Sequence, residues 1–213
     1  MRISLFGATG MIGSRIAAEA VRRGHEVVAV SRSGEAPVPG PGVTAVAADA
    51  ATARQVAEAV AGADVVASAL VPPRDGTDPR VPFAALYDAF LRGVRAGGAG
   101  RVVVVGGAGS LTTADGVPLA DAPGFPAAYR GEALAHADLL AVLRRTTDLD
   151  WTYVSPAALI APGERTGTFR VGGDTLLTDA EGESRISAED YAVAFVDELE
   201  KGGHPRARIS VAY

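Results

Sequence analysis

Residues 3–16 run Ile3-Ser4-Leu5-Phe6-Gly7-Ala8-Thr9-Gly10-Met11-Ile12-Gly13-Ser14-Arg15-Ile16: a short apolar run, three glycines at a spacing of three, and the opening of a helix. An apolar run that turns through glycine into a helix reads as the first β-α unit of a dinucleotide-binding sheet. Each glycine has its own physical reason. Gly7 permits the tight turn, Gly10 lets backbone approach a diphosphate, and Gly13 lets the helix lie against the strand. The helix N-terminus then offers unbonded N–H groups and a partial positive charge to the phosphates. Gly7, Thr9, Gly10, Met11, Ile12 and Gly13 form the candidate phosphate loop. The alternative is a glycine turn with no ligand. The position of the motif between strand and helix, with a second apolar run about fifteen residues on, argues against it.

Outward from the motif the same alternation continues. Ile3–Phe6, Val27–Val30, Val43–Ala47, Val65–Leu70, Val102–Val105 and Trp151–Val154 are apolar and nearly continuous, the pattern of strands buried on both faces. Ile12, Ile16 and Ala20 recur every four residues. Val56, Ala59 and Val60 mark a second helix, and Phe83, Leu86, Tyr87, Phe90, Leu91 and Val94 line one face of a third. Leu134, Leu139, Leu140 and Leu143 suggest a fourth helix; Tyr191, Phe195 and Leu199 suggest a fifth. The expected fold is an α/β Rossmann-type doubly wound parallel sheet with helices on both faces, one domain over residues 1–213.

Ligands in such sheets bind where the strands end. Three excursions leave from those ends: 71–82, 106–130 and 161–187. They are expected to wall the substrate side as a small C-terminal region and its neighbours. Within the last, Thr168–Val171 and Thr175–Thr178 flank Gly172-Gly173-Asp174 and read as a hairpin. Arg185-Ile186-Ser187 followed by Ala188-Glu189-Asp190 reads as a strand entering a helix, with Ser187 as N-cap and a structural role.

Composition narrows the function. The 213 residues are 48% hydrophobic with a formal charge of −5. Arginines are interleaved with acids, which argues against a nucleic-acid partner. There are no cysteines, so disulfides, thiolate metal sites and a cysteine nucleophile are excluded. His25, His136 and His204 are far apart and carry no metal-ligand spacing. The chain runs from Met1 straight into its first strand, and no apolar stretch approaches about 18 residues. A cytoplasmic protein without a membrane partner, monomer or homodimer, is the expectation.

The end of the second strand reports which dinucleotide is used. It reads Val30-Ser31-Arg32-Ser33, with no acid before Glu35 to bind a ribose 2′-hydroxyl. Arg32 offers a planar fork to a 2′-phosphate and the serines offer hydroxyls, so NADPH is favoured, with NADH use also open. The other reading makes Arg32 an ordinary turn arginine. Asp49, ending the third strand, is placed to accept from the adenine amino group, or else to cap the helix that begins near Thr52. Ala69 and Leu70 are small or apolar residues at the fourth strand's end, where a ribose would lie against backbone.

The segment GATGMIGSRI resembles the glycine motif of atypical short-chain dehydrogenase/reductases. VVVVGGAGSL at 102–111, EALAHADLL at 132–140, DLDWTYVSPAALIAPGERTG at 148–167 and SRISAEDYAVAFVDELE at 184–200 resemble the bacterial NADH-flavin reductase group. NmrA-like regulators and biliverdin reductase B are relatives of that group. The resemblance implies an NAD(P)H cofactor, and it implies that Ser155, Pro156 and Ala157 lie beside the nicotinamide. Conventional members use a Tyr and a Lys four residues later. Here Tyr129 stands near that place and Ala133 four positions on, so a phenol without a neighbouring cation is a poor base at neutral pH.

Hydride transfer to a flavin or similar planar acceptor needs no strong protein base. The expected activity is therefore an NAD(P)H-dependent reductase, with flavin as substrate and not as bound cofactor. Ser110, Tyr129 and His136 are candidate proton donors, Ser110 first. A loop hydroxyl, a packed tyrosine and a structural histidine are their plainer readings. A cofactor-sensing regulator without turnover, as in NmrA-like proteins, and an epimerase or ketoreductase are the alternatives.

Overall fold

The computed structural model describes residues 1–38 and 40–213. In chain order the elements are β1 (Arg2–Phe6), α1 (Met11–Arg22), β2 (Glu26–Ser31), β3 (Val43–Ala47), α2 (Ala53–Val60), β4 (Val65–Ser68), α3 (Arg80–Ala96), β5 (Arg101–Val105), α4 (Ala127–Arg145), β6 (Asp150–Ser155), β7 (Leu159–Ala161), β8 (Arg170–Gly172), β9 (Arg185–Ser187), α5 (Ala188–Lys201) and β10 (Ala207–Ala212). Eight strands form one sheet in the order β3-β2-β1-β4-β5-β6-β10-β8; all neighbours are parallel except β8, which runs antiparallel to β10. β7 and β9 make a separate parallel pair.

Period-two alternation sends side chains to two cores. Ile3, Leu5, Val27, Ala29, Val103 and Val105 meet α1 and α5 on one face. Phe6, Val28, Val30, Val102, Val104, Trp151 and Tyr153 meet α2, α3 and α4 on the other. The aromatic stripe read on α3 is buried as expected, with Phe6, Phe83, Tyr87 and Phe90 meeting edge to face. β1 pairs with β2 on one side and β4 on the other, so strand order reverses there and a crevice opens between their carboxyl ends.

Two sequence expectations are corrected, and one strand that the sequence reading did not include appears. β3 is not buried on both faces: it is the sheet edge, and Thr44, Ala45 and Ala47 are exposed. The 168–178 hairpin does not form. β8 pairs with β10, and residues around Thr175 bond to Thr112, so long-range edges outcompete the local turn. The strand β10 carries no local apolar signature. Its buried Arg208 pairs with Asp174 at 2.6 Å, and Ser210 Oγ donates to the Thr175 carbonyl at 3.1 Å.

Ser187 does cap α5, accepting from the Asp190 N–H at 2.9 Å. The Asp190 carboxylate does not return the bond. It accepts from Thr166 Oγ1 and the Gly167 N–H at 2.6 and 2.7 Å, pinning the 161–187 excursion to α5. The same excursion reaches α1 through Arg165, which is bidentate on the buried Glu19 at 2.9 Å. Burial alone would push the Glu19 carboxyl up. Hydrogen bonds from Arg22, Arg165 and Arg23 outweigh that and hold it well below the usual carboxylate range. Among the described residues no helix is long and apolar enough to cross a membrane.

Candidate functional site

At the switch point lies a cavity of about 970 Å³, at the upper end of the range for small-ligand sites. One wall is the glycine turn. Gly7 adopts φ +74°, and a Cβ there would sit 2.5 Å from the Ala69 carbonyl oxygen, so the turn and the end of β4 touch backbone to backbone. A Cβ on Gly13 would lie 2.1 Å from the Gly7 carbonyl oxygen, which is what holds α1 against β1.

Gly10 differs. It is the N-cap of α1 at φ −70°, and a Cβ there would meet only the Gly7 carbonyl oxygen, at 3.4 Å. Nothing in the fold itself requires glycine at this position; a side chain would project into the cavity. The first intrahelical bond runs from the Ser14 N–H to the Gly10 carbonyl at 2.9 Å. The N–H groups of Met11, Ile12 and Gly13 precede it, no side chain caps them, and no acid stands in the first turn. All three residues line the cavity, as do Gly7 and Thr9.

Arg32 and Asp49 mark one end of the cavity. Ser31 Oγ accepts from the Gly34 N–H at 3.0 Å, closing a turn that leaves Arg32 exposed, with no ion-pair partner among the described residues. Asp49 is also exposed. One carboxylate oxygen accepts from the Ala51 N–H at 2.9 Å, and its own N–H donates to Gln55 Oε1 at 2.7 Å. It braces the entry to α2, while the N-cap is Thr52. Ala69 and Leu70 line the middle.

Sequence reasoning missed part of the wall: Phe6, Val30, Ala48, Ala50, Ala51, Ala85, Leu86, Asp88, Ala89, Arg92 and Val105. The half-buried Leu86 at the edge of the α3 stripe was the available signal for the α3 side. Of the three excursions, 71–82 contributes to the lining and 106–130 and 161–187 do not.

Several candidates fall elsewhere. Ser155, Pro156 and Ala157 are buried at the end of β6 and do not line the cavity; Ser155 Oγ donates to the Gly107 carbonyl at 2.9 Å. Ser110 accepts from Arg208 Nη1 at 2.8 Å, part of the clamp between the two long excursions, and is also outside the cavity. Tyr129 is 63% exposed on the first turn of α4, beyond the lining. Its position four residues on is Ala133. The chain's one lysine, Lys201, pairs with Asp197 at the far end of α5, beside Arg23 and the amino edge of the sheet. No lysine is therefore available to any tyrosine near the crevice.

His136 is buried against Phe83 and behind Gly107, whose Cβ would lie 2.9 Å from its own. Burial lowers its pKa to about 4, so the ring is neutral at pH 7, and Nδ1 has no partner among the described residues. Tyr153 donates to the His136 carbonyl at 3.1 Å and accepts from the Gly107 N–H at 2.8 Å. Burial raises the pKa of Tyr153, and of Tyr87, so both hold their protons and neither is a base. Among the described residues no group of three or more His, Asp or Glu could hold a metal ion.

Fold and crevice together define a Rossmann-type dinucleotide-binding protein. The family model for NAD(P)H-binding proteins matches residues 7–201, and the chain belongs to that family. It is 54% identical to a solved Burkholderia pseudomallei protein provisionally named as exported, with all of both chains covered and a TM-score of 0.89. It is 37% identical to a Bacteroides thetaiotaomicron protein provisionally named an epimerase, over 100% of this chain and 96% of that one, with a TM-score of 0.90. It is 36% identical to a Streptococcus pneumoniae TIGR4 protein provisionally named an NADH-flavin reductase, over 100% and 99%, with a TM-score of 0.85.

Proposed function

We propose that the protein is a cytoplasmic NADPH-dependent reductase that passes hydride to a small planar conjugated acceptor of the flavin type. The observation that carries the reading is the empty side-chain position at Gly10, in front of three unbonded N–H groups and free of any demand from the fold. A dinucleotide diphosphate fits that cradle. The N–H groups of Met11, Ile12 and Gly13 would hold it, Ala69 and Leu70 would floor the ribose, Asp49 has a carboxylate oxygen left for the adenine amino group, and Arg32 would take the 2′-phosphate.

A bound reduced nicotinamide supplies one proton and two electrons as hydride to the acceptor ring, and solvent supplies the second proton. What remains for the chain is to orient two rings and exclude water. Two features support a planar acceptor over an alcohol or ketone. No lysine can tune a tyrosine at the crevice, and the buried tyrosines stay protonated. The carboxyl edge is also ringed by exposed apolar side chains: Met11, Val71, Val81, Val117, Tyr129 and Leu159.

NADPH oxidation followed at 340 nm with FMN, FAD or riboflavin tests this. Turnover that is lost in Gly10→Val is the expected result. Tight NADPH binding with no oxidation in the presence of any acceptor would instead indicate a cofactor-sensing protein.

A further inference from the structure

Three arginines line the cavity among the described residues, and they are not equivalent. Arg32 ends β2. Arg92 lies beside Gly93, where α3 packs on Val56 of α2, and it pairs with Asp88 at 3.2 Å. Both belong to the end assigned to adenosine. Arg74 lies at the other end, in the excursion after β4, anchored to α4.

The anchor is specific. Arg74 Nε and Nη2 donate to the two carboxylate oxygens of Glu132 at 2.9 and 2.8 Å. Pro79 of the same excursion packs on Gly131, so the segment is seated on the first turns of α4. The fork leaves Nη1 without a hydrogen-bond partner among the described residues. The Arg74 side chain is 67% exposed, against 26% for Glu132. An exposed pair of this kind adds little to stability. What it provides is a cation held in one orientation with a free edge at the cavity wall. Val71 lines the same cavity, and the exposed phenol of Tyr129, outside the lining, is near enough to act electrostatically on the guanidinium.

A fixed guanidinium edge beside an apolar, aromatic rim is suited to a flat ring that carries a negative group. We propose that Arg74 receives a phosphate or carboxylate on the hydride acceptor, making the protein selective for planar acceptors with an anionic tail. This rests on the reductase reading above and deepens it.

FMN and riboflavin share one ring system and differ by a phosphate, so their ratio of kcat/KM isolates the tail. In the wild type the ratio is expected to favour FMN by about tenfold or more, the range of a charge-assisted hydrogen bond. Arg74→Gln brings it toward one. Glu132→Gln removes the latch and keeps the cation, and it preserves or raises the ratio. An unchanged ratio in Arg74→Gln would overturn the proposal. So would a Glu132→Gln protein that loses the preference as Arg74→Gln does, since the latch and not the cation would then be responsible. Equilibrium binding of the two flavins to the NADP⁺ complex makes the same comparison without turnover. If the wild type oxidises NADPH with neither flavin, the reductase reading fails. The ratio of dissociation constants still decides Arg74, and equal or absent binding counts against it.

Discussion

Arg32 stands where β2 ends, at the second position of the turn closed by Ser31 and Gly34, and no side chain in the described residues neutralises it. An unpaired arginine in a cavity wall either wastes its charge on solvent or meets an anion there. On the proposed reading the 2′-phosphate of NADPH would be that anion, and a charge-assisted bond to it would be worth about 1.5–3 kcal/mol. Arg32→Ala is expected to weaken NADPH binding by about 10- to 100-fold and NADH binding by less than about twofold, as measured by titration calorimetry. Equal losses for the two would show that Arg32 does not read the phosphate. The place of Arg32 in the cavity wall was legible in the sequence because it depends on the strand end and the neighbouring turn alone. The setting of Ser110 was not, because its partner Arg208 is 98 positions away and nothing local announces that the hydroxyl accepts from that guanidinium, outside the cavity lining. Ser155 is a similar case, its hydroxyl being turned inward to Gly107.

Elements were legible where period and punctuation agree. The β1-turn-α1 unit, the α3 stripe and the Ser187 cap could be read from spacing, since side-chain direction follows from backbone period. The β10 strand, and with it the partner of the β8 segment, could not. Arg208 is a buried arginine that only Asp174 makes tolerable, and a pattern search reads it as surface. The glycine turn also shows that one motif carries two distinct kinds of constraint. Gly13→Ala puts a methyl 2.1 Å from the Gly7 carbonyl oxygen, and backbone on both sides must move. That substitution is expected to cost about 3 kcal/mol or more and to lower the melting temperature with or without cofactor. Gly10→Val meets only ordinary contact and keeps an extended N-cap. It should change the melting temperature of the free protein by an amount equivalent to about 1 kcal/mol or less. It should nevertheless abolish the rise that saturating NADPH gives the wild type. If Gly10→Val melted as early as Gly13→Ala in the absence of cofactor, position 10 would be a folding constraint. The argument for the diphosphate cradle would then fail.

For the whole molecule, the buried polar groups beneath the carboxyl edge tie stability to pH. His136 sits between α3 and α4 with Phe83 against its edge, and burial holds its pKa at about 4, below the ordinary 6.5. Between those values the unfolded chain binds a proton that the fold refuses. Stability therefore rises with pH through that window and is lost as the solution is acidified from about 6.5 to 4. A difference of about 2.5 units corresponds to as much as about 3 kcal/mol. The paired carboxylates Glu19, Glu198 and Glu189 also lose their contribution in acid, because their folded values are lowered; their loss falls mostly below the ordinary carboxylate pKa near 4.5. A variant that keeps them and lacks the imidazole separates the two effects. His136→Leu fills similar volume against Phe83 and leaves no unpartnered Nδ1. Urea unfolding at a series of pH values should give a nearly flat stability for this variant between pH 6.5 and 5, where the wild type already declines. Superimposable curves for the two proteins over that interval would mean that His136 takes up its proton in the folded state. The ring would then have to be reachable from the crevice, contrary to the burial described above.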